Sequence, residues 1–180
     1  MTNRKWTDKV YNGKQMQNSV PQTNVHPTTE FGLEILKKDL KIVEPSLHLT
    51  VYAPENVEKK KPVMVWIHGG GWAFGSPTYE NGAVLAGFGD VVVVSISYRL
   101  HILGFLFGNW GLFDQLEALR WVQNNVGEYG GDKNNVTIFG ESAGSWSCEA
   151  LLCTKLSTGL FHRAICQSGS IKSTVFTRLY

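Results

Sequence analysis

The sequence predicts an α/β domain with a mostly parallel central sheet flanked by helices. Three observations carry that prediction. Nearly unbroken apolar runs occur at Val63-Met64-Val65-Trp66-Ile67 and at 91–96, with shorter ones at 136–139 and 164–166. Stretches with apolar residues at helical spacing lie between them. The two kinds alternate along the chain, as strand–helix–strand units with right-handed crossovers do. Strands that are apolar on both faces are those covered on both faces, and helices cover a parallel sheet in that way.

In chain order, residues 1–45 read as an irregular segment, because NSVPQTNVHPTTE mixes Asn, Pro and Thr without periodicity. The ordered domain runs from 46 to 180. LHLTVYAP alternates apolar and polar residues and stops at Pro54, which suits a strand at the edge of a sheet. ENVEKKK is a connecting turn, and Lys59-Lys60-Lys61 beside Pro62 is a solvated loop. After the strand at 63–67, a short helix is expected over 79–88, following Pro77. After the strand at 91–96, Leu112, Leu116, Leu119, Val122 and Val126 recur at helical spacing and predict a long amphipathic helix over 110–126. Asn109 or Asp114 would start it and Gly127 would close it. A strand at 136–139, a helix at 143–154 and a strand at 164–166 complete the series.

Composition narrows the function classes. The chain has 180 residues, 43% of them hydrophobic, enough for one domain with a real core. Seventeen basic residues face fifteen acidic ones with no basic stripe, so nucleic acid is not an expected partner. No stretch approaches the roughly eighteen apolar residues of a membrane span. MTNRKWTDKVYNGKQ has no apolar core of a secretory signal, so the chain as written is expected to be cytoplasmic. Cys148, Cys153 and Cys166 show no CxxC spacing. They are expected to be small buried hydrophobes rather than metal ligands. No metal and no cofactor are expected.

The strongest chemical signal is Gly140-Glu141-Ser142-Ala143-Gly144, between a predicted strand and a predicted helix. In that setting GxSxG marks a sharp, strained turn that lifts Ser142 out at the carboxyl end of the sheet as a nucleophile. Small residues at 140 and 144 let the backbone bend, and the following helix aims its N-terminus at the same spot. The second signal is His68-Gly69-Gly70-Gly71-Trp72, directly after a strand. An attacked ester carbonyl becomes an oxyanion that needs fixed N–H donors, each worth about 3 kcal/mol. Glycines let a backbone approach that closely. The donors are assigned to the N–H groups of Gly70, Gly71 and Ala143, and His68 to holding the loop rather than to acting as a base. A flexible glycine loop and a surface serine are the bland alternatives, and two matched motifs at strand ends argue against them.

PVMVWIHGGGW, VVVVSISYRL, GNWGLFDQLEALRWVQNNVGEYGGD, NVTIFGESAG and GLFHRAICQSG together resemble the carboxylesterase type-B family, across most of 47–170. Trp6 followed by Gln22 resembles the family's upstream segment. The resemblance implies an α/β-hydrolase fold, of which 46–180 would be the N-terminal portion with the C-terminal part absent. It also implies Ser142 as nucleophile, an acyl-enzyme mechanism and a small-molecule ester substrate. For full-length relatives the resemblance implies secretion or the endoplasmic reticulum lumen.

The sequence departs from that family in several places. The family's acid and histidine follow the nucleophile far downstream, whereas after Ser142 this chain has only Glu149 and His162. Glu149 would lie about 10 Å along the nucleophile's own helix, pointing away from the site. His162 would sit roughly 16–20 Å off, at the wrong end of its strand. A general base works at about 3 Å, so both are rejected as triad members, and His26, His48 and His101 have no supporting context. The chain is therefore expected to be weak or inactive alone. The cysteine of the family's Ser-Glu-Asp-Cys-Leu motif is Ser46 here, and no cysteine precedes Cys148, so the family's first disulfide is absent. GFLF runs straight into GNWG where the family inserts several residues, which alters the wall near Phe105, Phe107 and Trp110. His101 replaces the small residue usual after Tyr98-Arg99-Leu100. Asn135-Val136-Thr137 is a glycosylation sequon at the start of a buried strand and is expected to stay unmodified.

Three readings follow. The chain is a carboxylesterase fragment in which Trp72, Phe74, Phe105 and Trp110 line a hydrophobic pocket or belong to the core. It is a non-catalytic interaction module, like adhesion proteins built on the same fold. Or it is a truncated product without function, its open sheet edge prone to aggregation. Intact Ser142 and intact glycines favour the first. The sequence leaves the preferred ester and the oligomeric state open.

Overall fold

A computed structural model describes residues 47–54 and 59–172. The expected N-terminal irregular segment, Trp6, Gln22, His26 and Ser46 lie outside the described residues. Among the described residues five strands form one sheet: β1 (Leu49–Tyr52), β2 (Lys61–Ile67), β3 (Val92–Ile96), β4 (Gly131–Glu141) and β5 (Arg163–Gln167). Their order across the sheet is β1-β3-β2-β4-β5. β1 pairs antiparallel with β3, and every other pairing is parallel. The alternating strand therefore lies at an edge, as its pattern requires, and the continuous apolar runs β2 and β3 lie inside.

Register decides which residues share a face. Val63, Val65 and Ile67 align with Val92, Val94 and Ile96 on one side and with Val136, Ile138 and Gly140 on the other. All but the glycine join the main apolar core, at 0% exposure. That face is covered by α3 (Trp110–Asn125) and α4 (Ala143–Cys153), which contribute Leu116, Leu119, Val122, Cys148 and Leu151. The opposite face carries Met64, Trp66, Val93, Ser95 and Phe139. There α1 (Ala83–Gly89) packs on β3. Beside it lies a groove lined by Trp66, Glu80, Leu85, Val93 and Phe139. Among the described residues no helix is long and apolar enough to cross a membrane.

Several boundaries differ from expectation. The helix expected over 79–88 begins only at Ala83, because Asn81 turns the chain and its side-chain oxygen accepts the Ala83 N–H at 2.9 Å. Asn109 does occupy the N-cap position of α3, without a side-chain capping bond. Asp114 does not start the helix. It is buried inside it and takes three hydrogen bonds from Arg99, from the backbone N at 2.9 Å, Nε at 2.7 Å and Nη2 at 2.6 Å. Gly127 does not close α3. A 3₁₀ turn continues it through Val126–Tyr129, and Gly130, with φ 76°, makes the left-handed exit. β4 starts five residues earlier than its apolar run, at Gly131. A short helix, α2 (His101–Phe105), was not foreseen. Nor are all three cysteines buried: Cys148 is, but Cys153 and Cys166 are exposed, since α4 ends at Cys153 and β5 is an edge strand.

Candidate active site

The carboxyl ends of β2, β4 and β5 meet at one place. β4 leads into Ser142, which occupies the N-cap position of α4 with φ 54° and ψ −117°. A non-glycine residue on that side of the map costs about 1–3 kcal/mol and persists only where its surroundings fix it. Here they do. A Cβ on Gly140 would fall 2.6 Å from the Gly144 carbonyl carbon, and one on Gly144 only 2.0 Å from the Ile67 oxygen. No other residue type would let β4, α4 and the end of β2 close up in this way. The Ser142 N–H donates to the Gln167 carbonyl at 2.9 Å, and the Ser142 carbonyl accepts from Trp146 N at 3.1 Å. Gly169 presses on the same carbonyl, where a Cβ would come within 2.7 Å.

The loop after β2 runs against this corner. A Cβ on Gly69 would stand 2.8 Å from the Glu141 oxygen and 3.4 Å from Ser142 Cβ. Gly70 follows with φ 104° and Gly71 with φ 61°. The Gly70 carbonyl turns back to accept from Ala73 N at 3.0 Å and Phe74 N at 3.1 Å. Ala143 is buried as the first residue of α4, where backbone N–H groups have no acceptor within the helix. The sequence-predicted residues Gly70, Gly71, Ser142 and Ala143 thus belong to two segments that touch through Gly69.

His68 anchors the loop. It is 2% exposed and stacks on Tyr98 with ring centres 4.4 Å apart. Its Nδ1 lies 2.8 Å from the Gly69 oxygen, and its own carbonyl accepts the Tyr98 hydroxyl at 2.6 Å. Burial lowers its pKa to about 4, against a smaller opposing pull from the Gly69 carbonyl. It is a neutral spacer under the loop at pH 7. Burial likewise raises the Tyr98 hydroxyl, which stays protonated as a donor.

His162 and Glu149 lie elsewhere. His162 is tied to the start of β4, its N–H donating to the Val136 carbonyl at 2.8 Å and its Nδ1 accepting from Val136 N at 3.2 Å. Val136 and Ser142 are separated by six residues of strand, roughly 20 Å. Glu149 accepts from Ile171 N at 2.6 Å and Ser170 Oγ at 3.2 Å, beyond β5. His101 is exposed at the start of α2, its backbone N–H donating at 2.6 Å to the carbonyl of Trp72, the residue after Gly71; the His48 backbone pairs with Ser97.

Trp72 and Phe105 stack at 4.7 Å, and Trp72 meets Trp146 edge-on at 5.6 Å. Phe74 and Trp110 are exposed at 42% and 40%, so of the four aromatics only Trp72 and Phe105 join the packing. Sequence reasoning missed the polar network beneath them, in which Ser147 Oγ accepts from Trp72 Nε1 at 2.9 Å and from Gln115 Nε2 at 3.0 Å. It also missed the part of Gln167 and Gly169. Neither has a local signal, because each acts across the sheet.

Comparison with known proteins bears on the family and the fold. A model of the carboxylesterase family matches residues 1–179. Mouse carboxylesterase 3B is 49% identical over 152 residues, 79% of this chain and 27% of the relative. Rabbit liver carboxylesterase 1 is 48% identical over 149 residues, 77% of this chain and 26% of the relative. A solved carboxylesterase from Geobacillus stearothermophilus superposes with a TM-score of 0.68 at 46% identity, over 70% of this chain and 30% of its own. The chain thus spans about a quarter of the length of the curated relatives it matches, 27% and 26% for these two.

Proposed function

The chain belongs to the carboxylesterase family, and from that premise we propose that it carries the nucleophile and the oxyanion-binding backbone of a serine ester hydrolase. The observation that carries the reading is the Ser142 backbone: a strained φ of 54° at a strand-to-helix corner, packed against the glycine loop after β2. Ser142 Oγ attacks the carbonyl carbon of a small-molecule ester. Charge gathers on the carbonyl oxygen, and the N–H groups of Gly70, Gly71 and Ala143 receive it. The positive end of α4 adds to their effect. The alkoxide leaves, an acyl-Ser142 remains, and water releases the acid.

The attack needs a base to take the Ser142 proton. Among the described histidines, His68 is buried facing Gly69 and Tyr98, and His162 sits at the far end of β4. Neither of these is placed to take the Ser142 proton, and the reading assigns the base to a group outside the described residues. Without one in reach, serine is a weak nucleophile, and what remains is residual catalysis of the order of 10³–10⁴ over water.

The test uses the 180-residue chain with an activated aryl ester and a fluorophosphonate probe. Slow labelling is expected on the tryptic peptide 134–155, absent in Ser142→Ala. Added imidazole, standing in for the base, should raise hydrolysis by the wild type and leave Ser142→Ala at the background rate. Equal labelling of both proteins, or an imidazole response identical in the two, would overturn the reading.

A further inference from the structure

Helix α4 packs on β5 as closely as on β4. Three of its side positions fix how it sits. A Cβ on Gly144 would touch the end of β2 at Ile67. On the other flank, Ser145 Oγ donates to the Gly169 carbonyl at 2.6 Å, and Glu149 accepts from Ile171 N. Both of those contacts lie just past β5. Cys148 falls between these flanks, one turn beyond Gly144 and next to Glu149, so it faces the strand itself. On β5, Ala164 packs against the core that contains Cys148. Side chains alternate along a strand, so Cys166 shares the Ala164 side. In register Cys166 lies beside Gly140, whose added Cβ would meet Gly144 on α4, so Cys166 stands against the same stretch of α4 that carries Cys148.

We infer that Cys148 and Cys166 form an oxidisable pair, a disulfide site that ties the nucleophile helix to β5 when the chain meets a hydroperoxide. The two members differ in access. Cys166 is exposed and Cys148 fully buried. Burial, reinforced by the neighbouring Cys166, pushes the Cys148 thiol up to about 12, so chemistry starts at Cys166. Its thiolate attacks a peroxide oxygen, the O–O bond breaks, and a sulfenic acid forms with release of hydroxide. The Cys148 sulfur then attacks the Cys166 sulfur. The S–S bond forms, hydroxide leaves, and it takes up the Cys148 proton as water. Two thiols and one peroxide give one disulfide and two waters. Closure brings the two sulfurs to about 2.05 Å across a seam where helix and strand already pack.

This site is independent of the esterase reading. The bond would bear on the same corner, because Cys166 pairs with Gly140 in register and its neighbour Gln167 holds the Ser142 N–H.

The experiment treats the folded 180-residue chain with hydrogen peroxide, then reads its intact mass and a non-reducing tryptic map. The expected product has lost two hydrogens and joins peptide 134–155 to peptide 164–172. Since 134–155 also contains Cys153, the Cys153→Ser variant assigns the bond: the link should persist there and vanish in Cys148→Ser and Cys166→Ser. The Cys153→Ser map decides the matter even should Cys148→Ser fail to fold. Uptake of oxygen at Cys166 with no link to 134–155, or a link that disappears in Cys153→Ser, would overturn the inference.

Discussion

His68 makes the stability of this domain sensitive to mild acid. The side chain is 2% exposed, stacked on Tyr98 and bonded to the carbonyl of the next residue. Its pKa falls from 6.5 to about 4, mainly because burial penalises the charged ring. Between those two values the unfolded chain binds a proton that the folded chain refuses. Unfolding therefore gains proton binding as pH falls, and stability declines through the window. Above about pH 6.5 the contribution is flat, and below about pH 4 it is flat again. Linkage gives a loss of about 2 kcal/mol at about pH 5 and about 3 kcal/mol by about pH 4. For a domain whose whole stability is about 5–15 kcal/mol, that is a large share. Urea unfolding followed by tryptophan fluorescence, at about pH 7.5 and about pH 5, measures it. Wild type should lose about 2 kcal/mol more than His68→Gln over that interval. Proton NMR of the imidazole supplies a second check, with the His68 ring showing no titration above about pH 5. Equal acid losses in the two proteins, or a His68 ring that titrates near its ordinary value, would refute the argument.

Further outcomes follow from the packing and the backbone. Asp114→Ala should cost about 3–5 kcal/mol in chemical denaturation, because it strands the half-buried Arg99 that makes three bonds to it; breaking the exposed Arg120–Glu117 pair should cost under about 1 kcal/mol. Gly144→Ala should abolish Ser142-dependent fluorophosphonate labelling and lower the thermal midpoint, since its methyl would sit 2.0 Å from the Ile67 oxygen. Gly127→Ala, with nothing within 4 Å of the new methyl, should be neutral or slightly stabilising in the same scan. His101→Gly should stabilise by about 1 kcal/mol in denaturant, because His101 holds φ 53° where glycine is unstrained.

That last position shows how far the sequence could be read. His101 stood out as a departure from a small residue, but its cost is visible only once φ 53° is known. β2, β3 and α4 were legible because their signals are local: unbroken apolar runs for buried strands, and a GxSxG between strand and helix. α2 was not, since five residues with a glycine in the middle carry no helical period. β4 was underestimated because its first residues, GDKNN, are polar and turn-like yet pair where β2 begins. Asp114 stood beside Asn109 as a possible cap because an acid near a helix start is ambiguous; Asn109 takes the position. The partner of Asp114, Arg99, lies fifteen residues back, and only the fold brings them together. The same holds for Tyr98 under His68, and for Gln115 and Trp72 on Ser147, contacts spanning 30, 32 and 75 residues.

The candidate site inherits its rigidity unevenly from those contacts. On the β2 side, Gly69 and Gly70 rest on a buried histidine and tyrosine that stack on each other. On the other side, Ser142 hangs by its N–H from Gln167, and its carbonyl lies against Gly169. Both belong to or follow β5, which among the described residues is an edge strand, with Ile165 45% exposed. Edge strands open at lower free energy than central ones. Strain of about 1–3 kcal/mol at Ser142 is stored against the weaker of its two supports. Whatever stiffens β5 therefore holds the nucleophile in place, and whatever loosens it lets Ser142 relax toward ordinary φ before the glycine loop moves.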